Sequence, residues 1–187
     1  MSPRHHPASA LLLDFAAGNA NAEHARVLSA HVMSCPICRA EVDLAERIGG
    51  GLLETLEPAP MAADALDRAL AMLDLPEAST AAAPGVWVAP ISHDKASGRR
   101  SYLLRVGPGM VVPHHGHRGD ELTIILKGGF RDGDDAFDAG DFALVGEAVE
   151  HHPKATSDSE CVCLIAADAP LIPIDLVGAI FQPFVRI

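Results

Sequence analysis

Three soft donors fall within a few residues of one another near the start of this chain: His31, Cys35 and Cys38, in the order H-x3-C-x2-C. Imidazole and thiolate are the side chains that zinc favours, and a closed structural site needs four of them. His31 and Cys35 stand four apart, so on a helix both lie on one face. Cys38 follows Pro36, where a new helix can begin, and the free amides and dipole of a first turn favour a thiolate. One ion can therefore staple two helices at their junction. The fourth donor has to come from elsewhere, and "RHHP" ahead of the first helix offers His5 and His6. Such a site leaves no position for a substrate; its work is to hold a fold.

A second constellation lies in "GMVVPHHGHRGDELTIILKG". His115 and His117 are two apart, which places them on one face of a strand, and Glu121 can return to that face after the turn at Arg118–Asp120. Further on, "AGDFALVGEAVEHH" supplies His151 or His152, of which the spacing favours His151, with His152 on the outward face. Three histidines and a carboxylate leave coordination positions open, and they suit zinc, manganese, iron or nickel. His114 points away from His115. Cys161 and Cys163 share one face of a late strand and read as buried core. His24 reads as exposed surface.

The elements that must carry these groups change character along the chain. Residues 8–74 read as helices: one that stops at Gly18, one capped by Asn21 and ending near Cys35, one from Pro36 weakened at Gly49–Gly51, and a fourth over 62–74. Residues 76–85 have a linker composition. After them come short β-rich runs about every ten residues, the signature of a small barrel or sandwich. The expected organisation is an all-α domain over 1–75, a linker over 76–85 and an all-β domain over 86–187. With 25 acidic against 14 basic residues and a net charge of −11, the chain is a poor partner for a phosphate backbone. No apolar run is long enough to span a bilayer, and the expectation is a cytoplasmic protein.

The H-x3-C-x2-C motif with an upstream histidine resembles the zinc-binding anti-sigma factors, and "RHHP" makes the ChrR group the nearest likeness. That resemblance carries the fourth ligand onto His6. The run from Gly109 through His115, His117 and Glu121 to Gly128 is similar to the first cupin motif without a departure. The second motif departs from pattern at Gly146, Ala148 and Ala155. ChrR-type proteins have this same order, a zinc-binding helical bundle followed by a cupin, the double-stranded β-helix or jelly-roll barrel. The resemblance implies Zn2+ at His6, His31, Cys35 and Cys38, and Zn2+ or another divalent transition metal at His115, His117, Glu121 and His151. It implies a non-enzymatic regulator that holds an extracytoplasmic-function sigma factor through the helical domain. In the ChrR group the cupin takes part in release on an oxidative cue such as singlet oxygen. Apolar Leu66, Leu70 and Leu73 of the fourth helix are the expected partner face. A metal-dependent cupin enzyme, dioxygenase or isomerase, with an accessory zinc bundle is the alternative.

Overall fold

The computed structural model describes residues 3–57, 60, 62, 80–147 and 149–174. Three helices come first: α1 (Ser9–Ala16), α2 (Ala22–Ser34) and α3 (Pro36–Leu53). Asn21 caps α2 as its sequence position suggests, its side-chain oxygen accepting from the His24 amide at 2.9 Å. Cys35 closes α2 in extended conformation and Pro36 occupies the first turn of α3, since a residue before proline is pushed out of the helical region. The glycines at 49–51 do not interrupt α3. Leu12, Cys35, Cys38 and Val42 form the small core that the three helices share. The fourth helix expected over 62–74, with Leu66, Leu70 and Leu73, lies outside the described residues apart from position 62, as does the C-terminal "QPFVRI".

The β part is an antiparallel barrel-like assembly. Its largest sheet has the order β1 (Thr80–Ala83), β2 (Val86–His93), β3 (Arg100–Val106), β11 (Cys161–Ala167), β5 (Glu121–Lys127), β8 (Phe142–Val145). Two three-stranded sheets complete it. One is β10 (Lys154–Ala155), β6 (Gly129–Asp132), β7 (Asp135–Asp138); the other is β12 (Ile172–Pro173), β4 (His115–Gly116), β9 (Glu150–His151). Val86, Tyr102, Leu104, Ile125 and Ile165 face Phe130 and Phe137 across the interior. One expectation is corrected here. Thr80–Ala83 fall in the stretch read as linker, yet they pair with β2, and Ala83 is buried in the barrel core.

The helices do not hang free of the barrel. Val27 and Leu28 of α2 are wholly buried against Leu122, Ile124, Leu164 and Ala166 on the outer face of β5 and β11. Beside them Glu23 is buried too, its Oε1 accepting from the Ser92 hydroxyl at 3.0 Å, while Arg26 donates to Ser92 Oγ at 2.9 Å. A single apolar seam thus joins both halves. Leu28→Ala should cost about 2–5 kcal/mol through a cavity that the seam cannot close. Urea unfolding followed by circular dichroism should show helix and sheet lost together at a lower midpoint; an unchanged sheet transition would mean that the seam carries no stability.

Candidate metal centres

The first cluster assembles at the α2–α3 junction. His6, His31, Cys35 and Cys38 each offer one donor atom, and these atoms lie within 4.8 Å of one another. His6 Nδ1 is 3.4 Å from both Cys35 Sγ and Cys38 Sγ, and His31 Nε2 is 3.3 Å from Cys38 Sγ. Nitrogen and sulfur donors on one tetrahedral zinc stand about 3.5 Å apart, so the set fits such an ion. Of the two candidate histidines, it is His6 that reaches the cluster; the His5 ring packs on Phe137 at 4.6 Å between centroids.

Two groups from the barrel hold this cluster in shape. His31 Nδ1 donates to the Gly140 carbonyl oxygen at 2.9 Å, which leaves Nε2 as the lone pair facing the thiols. Gly140 has φ +92°, and a Cβ there would lie 2.9 Å from Pro3 Cγ, so only glycine lets the N-terminal segment approach. That segment is tied down by Asp141, whose Oδ1 accepts from the Arg4 and His5 amides while Oδ2 accepts from the Asp138 amide at 2.9 Å. The Phe142 amide donates in return to the His5 carbonyl at 3.2 Å. Burial raises the Cys38 thiol to about 12, with the neighbouring Cys35 thiol adding to it. A bound cation would favour the thiolate that this burial disfavours.

The second cluster lies inside the barrel. His115 and His151 face each other directly across the β4–β9 pair, Glu121 opens β5, and His117 follows β4. With His117 they bring four donor atoms within 4.8 Å. The turn that returns the chain to Glu121 uses Gly119 at φ +90°, where a Cβ would lie 2.8 Å from Asp168 Cβ. His151 Nε2 is 2.9 Å from the Nε2 atoms of both His115 and His117. His115 Nδ1 donates to the Pro113 carbonyl at 2.7 Å and His151 Nδ1 to the Asp132 carboxylate. The inward nitrogens of His115 and His151 are therefore both lone pairs, 2.9 Å apart. Such a pair repels unless a cation lies between them. Burial lowers His115 to about 4 and likewise His117, which favours their neutral, metal-binding forms. Burial also raises Glu121 to about 7, with Tyr102 hydrogen-bonded to it at 3.5 Å. A divalent ion would satisfy all four.

Outside the clusters, His152 faces away, its ring near that of His114 at 5.7 Å. Cys161 and Cys163 are buried on one face of β11, with sulfurs 3.5 Å apart. The exposed reading of His24 is corrected: its side chain is 13% exposed and sits 3.4 Å from Asp168, because α2 lies on the barrel. Asp132 and Asp141 support the two clusters and are residues that spacing did not point to; Gly140 stands in the sequence pattern only as the start of the second motif. Asp141 has only the glycine before it as a signal.

Burial alone would raise the Asp141 carboxyl, but the amides of Asp138, Arg4 and His5 outweigh it and hold the group below its ordinary value. A depressed carboxyl contributes stability above the ordinary carboxylate range and loses it as pH falls through the lowered value. Asp141→Ala strands three N–H donors and should cost about 1–3 kcal/mol at neutral pH. The deficit should shrink at an acid pH below that lowered value, where the wild-type carboxylate is itself protonated. Denaturation at the two pH values checks this; a deficit that is the same at both would remove the carboxylate from the account.

The ChrR cupin-like domain family matches residues 68–169. Along the whole of both chains, the sequence is 34% identical to the anti-sigma-E factor ChrR of Cereibacter sphaeroides. A chain in the crystal structure of Rhodobacter sphaeroides SigE in complex with the anti-sigma ChrR superposes with a TM-score of 0.74 at 31% identity. That match covers 89% of this chain and 100% of the other. An RmlC-like cupin protein from Ralstonia eutropha JMP134 aligns at a TM-score of 0.50 and 19% identity, over 67% of this chain and 77% of its own. It speaks for the barrel fold alone.

Proposed function

This chain belongs to the ChrR family, and from that premise we propose that it is an anti-sigma factor. It binds and inhibits an extracytoplasmic-function sigma factor through its helical part, residues 1–75, in the cytoplasm. The observation that carries this reading is the full-length likeness to an anti-sigma factor, and this chain has two donor clusters, in the order that the ChrR-type resemblance implies. A cupin enzyme with an accessory zinc bundle would account for both clusters but not for the full-length likeness to an anti-sigma factor.

The first cluster, in this reading, holds Zn2+ through His6, His31, Cys35 and Cys38, and the ion supplies fold rather than reactivity. The second holds Zn2+ or another divalent transition metal through His115, His117, Glu121 and His151. The ion there is a Lewis acid with room for a small oxygen ligand. The cupin domain takes part in release when an oxidative cue such as singlet oxygen arrives.

The partner face we propose is on α3. Among the described residues, Ile37, Leu44, Ile48 and Leu52 are more than half exposed and follow one side of that helix. Apolar groups of this size on one exposed stripe mark an interaction surface. The corresponding face of α2 is already committed to the barrel. Leu44→Glu should weaken sigma-factor binding by at least about tenfold while leaving metal content and melting temperature unchanged.

Two further outcomes separate holding from sensing. Elemental analysis should find about two metal ions per chain; fewer than one would sink the two-site reading. In a sigma-dependent reporter, His31→Ala or Cys35→Ala should lose repression. His115→Ala or Glu121→Ala should keep repression and respond weakly to oxidant. If both sets behave alike, the division of labour between the clusters is wrong.

A further inference from the structure

We propose that the interior of the barrel is a receptor site for an apolar small molecule with one acidic oxygen head, in chemical class a medium-chain carboxylic acid. The inference rests on the reading that the cupin domain receives a cue, and it says what kind of molecule that domain can hold.

The first observation is volume. A half-open cavity of about 870 Å³ runs into the barrel. Small-molecule sites span roughly 300–1,000 Å³, so this space belongs with binding sites rather than with packing faults. The second is lining. Val86, Leu104 and Val106 from one sheet and Phe130 and Phe137 from another give it apolar walls. Such walls offer an occupant no hydrogen bonds and reward alkyl surface.

The third observation is where the polarity lies. His115, Glu121 and His151 stand together in the lining, with Asp132 behind His151. Histidine lone pairs 2.9 Å apart ask for a hydrogen-bond donor such as a protonated acid, and an ion held between them would take an anionic oxygen instead. A carboxylic head can be either. An alkyl chain attached to it can lie against the apolar walls, which share the lining with polar groups such as Tyr102, Thr123 and Asp135. Other fully polar ligands would leave those walls unmatched, and a pure hydrocarbon would leave the histidines unmatched.

The fourth concerns the opposite boundary. Arg4, His5, His6 and Ala8 also line the cavity. The segment that carries a donor of the first cluster is thus a wall of the space beside the second. An occupant long enough to fill the cavity lies against the segment that Asp141 secures.

The experiment is calorimetric titration of the full-length, metal-loaded protein with sodium hexanoate, octanoate and decanoate. Saturable binding of one molecule per chain is expected, tightening by about fourfold per methylene as apolar surface is buried. Leu104→Trp, which fills the cavity from β3, should weaken decanoate binding at least tenfold. Val112→Trp, from a half-buried position beside the same core, should do so with less strain on the fold. His152→Ala, on the outward face, should change nothing. No saturable binding of decanoate, no dependence on chain length, or equal affinity in folded cavity-filling variants would overturn the proposal. Decanoate failing to bind a protein that still represses the sigma reporter defeats this inference and spares the anti-sigma reading. Loss of repression by wild-type protein alone would do the reverse.

Discussion

The hydrogen bond from His31 Nδ1 to the Gly140 carbonyl joins what the sequence presents as two separate domains. It fixes the tautomer and direction of a histidine that four-donor chemistry needs in one orientation. The same turn of the barrel sends the Asp141 carboxylate to the amides of Arg4 and His5, next to His6. Two of the four donors of the helical cluster are therefore placed by the barrel. The thiols are placed by the helices, through the extended residue that Pro36 imposes at Cys35. A site that looks local in sequence is built from both halves of the chain.

The two clusters are chemically opposite for reasons visible in their surroundings. In the first, Leu12 and Val42 pack around the cysteines, and the four donors would complete a tetrahedron about a zinc ion. The second opens on an apolar cavity and mixes three imidazoles with a buried carboxylate. Burial pushes Glu121 up and His115 and His117 down; a cation would take the neutral imidazoles as they are and restore the charge on the carboxylate. One cluster is suited to hold shape, the other to meet a small molecule.

Much of this was legible in the chain. Spacing alone placed His31 and Cys35 on one helical face, Pro36 at a helix start and His115 with His117 on one side. A likeness to known proteins, not spacing, chose His6 over His5. What could not be read has physical causes. Thr80–Ala83 form a strand because β2 offers them a partner, and pairing overrides a composition that looks like linker. Val27 and Leu28 advertise an apolar face, but periodicity says nothing of what covers it; a sheet does here. His24 and Glu23 are half-buried or buried only as a consequence of that docking. Asp132 and Asp141 act through a hydrogen bond across long stretches of chain, for which local pattern has no term.

The shared seam also constrains how any cue could be passed on. A helical part tethered only by a linker could swing away at little cost. Here departure of α2 would expose Val27, Leu28, Leu122 and Ile124 at once, and each buried aliphatic side chain of this kind is worth about 1.5–3 kcal/mol. A small molecule binding with ordinary affinity cannot displace such a seam wholesale, because it shifts an equilibrium only by its differential affinity for the two states. The N-terminal segment is held differently. Asp141 takes the amides of Arg4 and His5, the His5 ring packs on Phe137, and Arg4 pairs with Asp138 in an exposed ion pair that contributes little. It lines the cavity on one side and carries His6 on the other, so a zinc ion at the first cluster would tie it to the helices, and a cue that moves it would have to work against that bond.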